Sequence, residues 1–540
     1  MFTFTRRNIR CMLGRTHRPT RNRFLNVNPL FIFITYYSMR KQNLFGRLML
    51  CMSLIVMVCL ASCSDTPKYA RVISKDAALV VRVDVKQIAE KAQTADSKQL
   101  ADKLTAQLAA QGLPVETQEK LKKIFEDPAE AGIDLRKPVF IFVENFEPKA
   151  VGMVAAVHDA DKLAELVNTM AKQDNGVQLV KEDGLNILKA SGAMTLMFDD
   201  DILLCMENEA AGDVVAEGKR RMLAKDDQGI LERDDFKQLC KAKTDVQLLV
   251  TGKMMKQLEN EPSFRRMAMW QQLYPAGLKL EDYSVLAELN TEKGEVALSV
   301  QSLPQTDEAK ELIEKNAKML GKVDGELLDY VPASTLCVFN CNLNGKELSK
   351  VVMPSLRQTG ALNEEQQKMA ENLLSSIDGD VLLAVNAFDV QAGPQSCFLV
   401  KVSDEKKVKE TIAQLGGALL NEVEPGQYSV NNQFYLGVKN DIFYVSMPTP
   451  VLSMAKPQPA VEKDNFKGKL FFGSINVKNA LSNPQTVAMM SGDRDFREAL
   501  PFLQLCDRLE FSVEDATKAE MRLKLTQTDK NPLQLMLEKL

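Results

Sequence analysis

The sequence predicts an α+β protein made of two tandem homologous lobes, each an antiparallel or mixed β-sheet with helices packed on one face. Three observations lead there. A set of internal matches repeats once along the chain in the same order. Short β-branched strands run straight into helices with apolar residues at helical spacing. Strand pairs are closed by turn-forming residues, which makes them antiparallel hairpins.

Taken in order, Val72–Lys91 (VISKDAALVVRVDVKQIAEK) reads as a strand followed by a helix, and Val331–Val351 (VPASTLCVFNCNLNGKELSKV) reads the same way, with Asp84 opposite Asn342. The strand Lys137–Glu144 matches Gly379–Asn386. Val151–Val167 and Ser396–Ile412 each run from a strand through Asp into a helix. The hairpin Leu196–Met206 (LMFDDDILLCM) aligns without gaps on Leu436–Ser446 (LGVKNDIFYVS). Asp234–Leu258 pairs with Asp464–Leu481, and Tyr283–Lys315 with Asp507–Leu540, where Gln-Thr-Asp at Gln305 and Gln527 opens the terminal helix of both. The offset shrinks from 258 at Asp84/Asn342 to 222 at Gln305/Gln527, as a duplication whose second copy has shorter loops would give. A smaller echo, Leu79 against Leu248, suggests four related strand-to-helix units. The expected boundaries are 69–325 for the first lobe and 326–540 for the second, with 322–328 as the protease-accessible join.

The N-terminal region is an address rather than a fold. Leu60-Ala61-Ser62-Cys63 closes the apolar stretch LMLCMSLIVMVCLASC, which follows Met39, Arg40, Lys41 and Arg47. A basic opening, an apolar stretch and a small-residue site form a secretory signal, and this run is too short and wrongly flanked to span a membrane. The site resembles a bacterial lipobox, which implies cleavage before Cys63 and lipidation of its thiol. Residues 1–38, rich in arginine, read as a mis-called extension with translation starting at Met39. Residues 39–62 are then the signal peptide and 63–68 the tether.

Ten of the 68 Lys and Arg, and none of the 72 Asp and Glu, lie before Cys63, so the rest carries 58 basic against 72 acidic residues, a net charge of −14. Such a body repels phosphate backbones, which argues against nucleic acid as a partner. It leaves the lipid on Cys63 as the membrane contact. Six cysteines follow Cys63: Cys205, Cys240, Cys337, Cys341, Cys397 and Cys506. Most sit in apolar runs and read as core thiols. Cys337 and Cys341, four apart on a strand, would stand about 13 Å from each other and could not bridge.

Motifs for catalysis are scarce. Beyond Cys63 the only histidine is His158, before Asp159, and its counterpart is Ser403-Asp404, so the pair reads as a helix-capping turn rather than a dyad. Asp199-Asp200-Asp201 lacks the alternating ligands and Gly of a calcium loop and reads as a hairpin turn. No Cys-x-x-Cys, histidine pair or Gly-rich phosphate loop occurs, so no metal or cofactor is expected. Glu144 and Asn386 occupy equivalent strand ends, which argues against an essential acid there. A Met- and aromatic-rich stripe, Met267, Trp270 and Tyr274, has a Met-rich counterpart at Met489 and Met490. Such a stripe reads first as core; if either copy exposes a recognition face, these five residues form the candidate partner surface.

The lipobox LASC, the opening KDAALVVRVDVKQIAEKA and the two-copy layout resemble the domain of unknown function 4836 family, envelope lipoproteins of the Bacteroidetes type. The resemblance implies an envelope lipoprotein and supplies no catalytic residue. With one acid in Ser64-Asp65-Thr66-Pro67, it implies an outer-membrane anchor facing the periplasm, with exposure on the cell surface as the alternative. The expected function is non-enzymatic binding or scaffolding of a protein or peptide partner. The alternatives are a binder of a small or apolar ligand between the lobes, and a hydrolase using carboxylates only. The sequence sets no oligomeric state.

Overall fold

Antiparallel strand pairing organises the chain from one edge of a single sheet to the other. The computed structural model describes residues 67–539 except 93–114, 172–176, 190–192, 226–228, 261–278, 333–334, 361, 390–392, 417–419 and 449–462. Its N-terminal half runs β1 (Leu79–Val83), α1 (Val85–Lys91), α2 (Val115–Glu126), β2 (Val139–Asn145), β3 (Ala150–Ala156), α3 (Ala160–Ala171), β4 (Gln178–Glu182), β5 (Leu185–Lys189), β6 (Met194–Phe198) and β7 (Ile202–Asn208). It continues through α4 (Val214–Met222), α5 (Asp234–Lys241), β8 (Val246–Val250), α6 (Gly252–Asn260), β9 (Tyr283–Glu292), β10 (Glu295–Pro304) and α7 (Asp307–Ala317). The C-terminal half begins with β11 (Leu320–Gly321), β12 (Cys337–Asn344), α8 (Gly345–Thr359), α9 (Glu364–Ser376), β13 (Ile377–Asp389), β14 (Gly393–Val402) and α10 (Glu405–Gly416). The hairpin strands β15 (Asn421–Glu424), β16 (Gln427–Val430), β17 (Phe434–Lys439) and β18 (Ile442–Met447) follow. The half closes with β19 (Phe471–Asn476), α11 (Val477–Ser482), α12 (Pro484–Met490), α13 (Arg494–Leu503), β20 (Cys506–Val513), β21 (Lys518–Leu525) and α14 (Pro532–Lys539).

The fold is α+β, and every strand pair among the described residues is antiparallel. The sequence left a mixed sheet open; the ladder decides for the antiparallel form. The N-terminal strands lie in the order 4-5-6-7-3-2-1-8-9-10, and the C-terminal strands continue as 21-20-19-12-13-14-18-17-16-15. Short β11 lies alongside the end of β12. The order reads alike from either edge, and the centre is the pair β10·β21, with Leu298 opposite Met521.

Capping residues set where strands become helices. The side chains of Asp84, Asn344 and Asn476 each accept a bond from the backbone N–H three residues on, at 3.1, 3.2 and 2.8 Å. Those acceptors satisfy donors that a helix start leaves unpaired, so the chain turns where the polar residue ends the apolar alternation.

Cores differ between the halves. In the N-terminal half one cluster joins Phe140, Phe142, Ile187, Leu204 and Phe236 with Tyr69, Val72 and Ile230, which close over the sheet. In the C-terminal half one cluster gathers Leu382, Leu399, Tyr444, Phe466 and Phe472, a second gathers Val400, Val402, Val408, Ile412 and Val438, and a small third joins Cys506, Leu525 and Leu535. Along 322–328, the stretch expected to be cut by protease, exposed Lys322, Asp324 and Glu326 alternate with buried residues. Val323, Leu327 and Leu328 are buried in the first C-terminal cluster, and Gly325 N–H donates to Asp380 Oδ2 at 2.9 Å. Three apolar anchors and a buried acceptor hold those residues down.

Candidate functional site

β14 borders both C-terminal clusters because its side chains alternate. Cys397 and Leu399 face the first cluster, while Phe398, Val400 and Val402 point the other way. α10 carries Val408 and Ile412 four residues apart, which places both on one helix face. α9 and α10 are tied at one end, where Ser403 N–H donates to Ser376 O at 2.9 Å. Asp404 then starts α10 by accepting from Lys407 N–H at 2.9 Å.

Between these helices and the sheet lies a cleft of about 290 Å³. Its walls include Leu374 and Ile377, Phe398 and Val400, Ile412 and Phe443, and every lining residue is apolar. Phe398 is 37% exposed, and Leu383, opposite it on β13, is 44% exposed. The volume sits at the lower end of ligand-sized cavities, about 300–1,000 Å³. An enclosure with no polar lining can take only a ligand portion that needs no hydrogen bond, because burying an unpaired polar group is costly.

The corresponding place in the N-terminal half is shut. There α3 follows β3, and Leu121 and Ile124 of α2, Leu163 and Val167 of α3 and Leu203 of β7 are all buried. The second core and its opening are features that sequence reasoning missed. Both halves show the same apolar spacing, and spacing does not report how closely two helices approach.

Charged groups are engaged structurally. Arg221 spans from Glu144, through Nη1 at 2.5 Å, to Glu217, through Nε at 2.7 Å. The bond from Arg220 to Glu217, and the bond and charge of Arg221, hold Glu217 at about 2 against the upward push of burial. Burial pushes Asp235 up, but Arg233 and the Ser284 hydroxyl outweigh it and keep that carboxyl low. Asp380 is raised, chiefly by burial and further by neighbouring Asp324, while Gly325 N–H and Asn342 oppose the rise. The chain's own backbone and amides fill its acceptor sites, so Asp380 serves as a clamp on residues 324–325. Burial pushes the thiols of Cys205 and Cys240 up to about 12, and all six described cysteines are free.

His158 is exposed, and its neighbour Asp159 accepts from Asp161 and Lys162 N–H at 3.1 and 3.0 Å, which makes it the helix cap. Asp199 accepts from Asp201 and Ile202 N–H, which closes the β6–β7 turn. Glu144 meets Arg221, whereas Asn386 accepts from the Thr335 hydroxyl at 2.8 Å. Among the described residues no three or more His, Cys, Asp or Glu side chains gather as metal ligands, and no helix is long and apolar enough to cross a membrane. Cys63, Met267, Trp270 and Tyr274 lie outside the described residues, as does the side chain of Met489. Met490 ends α12 and is 40% exposed, well away in sequence from the cleft lining.

Two solved structures, crystal forms III and I of TP0453, are similar at 12% identity. The match covers 46% and 44% of this chain and 86% and 79% of theirs, with TM-scores of 0.26 and 0.24, a likeness too slight to carry an argument. No curated protein matches. Residues 69–533 match the family described as Domain of unknown function (DUF4836), and the chain belongs to that family.

Proposed function

With that family as premise, we propose that this is a non-enzymatic lipoprotein of the cell envelope, tethered through Cys63, whose C-terminal half holds an apolar ligand. The observation that carries the reading is the apolar cleft of about 290 Å³, open at Phe398. It replaces a site between the lobes with one inside the second lobe. The two-lobe organisation is part of the same proposal; what supports it is a strand order alike from both edges, with the last strand of each half at the centre. Two homologous lobes would let one keep a sealed core while the other specialises.

A saturable, stoichiometric rise in the fluorescence of the neutral apolar probe 1-aminoanthracene tests the site. Leu436→Trp fills the cleft from a half-buried position and should abolish binding while thermal unfolding stays within a few degrees of the parent. Unchanged binding by that folded variant would sink the reading. The tether is tested separately: Cys63→Ala should release the chain from membranes or leave its precursor uncut, and normal retention would refute it.

A protein-partner reading ranks second. It is favoured by Met490 at 40% exposure and Phe502 at 57%, apolar side chains on neighbouring α12 and α13. Crosslinking in intact cells should then capture one abundant protein through this region, and loss of that product in Phe502→Ser would locate it.

A further inference from the structure

α10 opens with three basic positions, and they are treated differently. Lys406 pairs with Glu410 at 4.0 Å, and Lys409 pairs with Glu405. Lys407 is half-buried, and no carboxylate among the described residues lies within ion-pair distance of it; its ammonium meets only the Ser375 hydroxyl at 3.4 Å. Ser375 follows Leu374, and Val408 follows Lys407, and both apolar neighbours line the cleft. The cation, with no carboxylate partner among the described residues, therefore stands where α9 and α10 meet, one residue from a cleft-lining residue on each helix.

The N-terminal half shows what this arrangement omits. α3 is capped by Asp159 as α10 is by Asp404, and the lysine at the matching place, Lys162, donates to Glu130 Oε1 at 2.6 Å. There the lysine has an acid and no cleft. Where the cleft is open, a serine stands at the contact and the lysine's charge is left for something else.

We propose that the C-terminal cleft takes a medium-chain aliphatic carboxylate, its chain among Val400, Ile412 and Phe443 and its carboxylate on Lys407. The inference rests on the cleft being a ligand site and adds the class of ligand. Charge complementarity selects the head group, because an ammonium beside a low-dielectric wall favours an anion over a neutral alcohol. Volume selects the chain: a cavity of about 150 Å³ holds benzene, so 290 Å³ accommodates about ten to twelve carbons. Each methylene moved from water into such walls tightens binding about fourfold until the space is filled.

The test uses the full chain in lipid nanodiscs, with empty nanodiscs as the partition blank, titrated calorimetrically with decanoate and with decanol. Decanoate should bind about tenfold more tightly than decanol, as a single charge-assisted contact allows. Lys407→Gln should remove that tenfold and leave decanol unchanged. Ser375→Glu, which restores the acid seen beside Lys162, should do the same, whereas Lys406→Gln should alter neither ligand. Equal affinity for the two ligands, or a decanoate preference that survives both Lys407→Gln and Ser375→Glu, overturns the carboxylate assignment while the apolar site stands. Binding of neither ligand overturns both.

Discussion

α3 follows β3 and α10 follows β14 by the same kind of turn, yet one helix lies over a sealed core and the other over an open cleft. The sealed half is stitched by buried charge as well as by apolar packing: Arg221 to Glu144 and Glu217, Arg233 to Asp235, and Lys91 to Asp245 at 2.9 Å. The open half spreads its apolar residues over three clusters and leaves Phe398 and Leu383 partly in water. A sheet-and-helix frame thus tolerates a gap between helix and sheet when a second cluster on the opposite face supplies cohesion. Cohesion and opening can then be altered in separate places.

The largest contrast to break is packing. Phe236 is fully buried and its ring lies 5.6 Å from that of Phe140, so Phe236→Ala should cost about 3–5 kcal/mol in denaturant unfolding. Phe398→Ala, at the cleft edge, should cost less than about 1 kcal/mol, since its ring is already partly in water. Equal losses would erase the distinction between sealed and open halves. Next comes Arg221→Leu, which strands Glu144 without its partner and should cost about 3 kcal/mol. Asn386→Ala, at the matching strand end, loses one hydrogen bond from Thr335 and should cost about 1 kcal/mol.

Acid sharpens the contrast through opposite signs. Glu217 is held at about 2 against an ordinary 4.5, so its contribution is present above pH 4.5 and is lost as pH falls towards 2. Asp380 is raised above its ordinary 3.8, so its ionisation opposes folding at higher pH, and protonation on acidification relieves that strain. Amide protection in α4, with exchange corrected for its intrinsic pH dependence, should therefore fall between pH 5 and pH 2 before protection in β13 does; the reverse order would contradict the assignment. The smallest effect concerns hairpin turns. Asn440 and Asp441 both hold positive φ, 56° and 58°, so Asp441→Gly should stabilise by about 0.5 kcal/mol, read as a small rise in Tm.

Much of the frame was legible because it depends on local chemistry. Strand-to-helix turns at Asp84 and Asp159 and the hairpin at Asp199 follow from alternation ending in a short polar acceptor. Register was not: that Val83 lies opposite Val139 and Cys341 opposite Val381 depends on pairing between strands far apart in the chain. The second strand runs on past Asn342 and the cap falls at Asn344, because an Asn can serve either as a strand residue or as a cap. At 322–328, between the copies, three apolar residues are buried among exposed polar ones, a mixture that position between repeats does not foretell. The cleft was invisible for a deeper reason. Val408 and Ile412 have the spacing of Leu163 and Val167, so apolar period does not separate an open helix from a closed one. That Lys407 lacks an acid among the described residues becomes meaningful only once the Lys162–Glu130 pair is seen.

The central pair β10·β21 has a consequence for biosynthesis. Its strands are separated by more than two hundred residues, so a chain emerging N-terminus first presents β10 as a bare edge long before its partner arrives. Such an edge is a template for strands of other chains. Glu295, Ser299 and Gln301 alternate along β10, a polar row that discourages foreign strands during the wait, and Glu295 later lies 3.8 Å from Arg522 of β21. The row that guards the nascent edge then helps fix the register of the finished sheet.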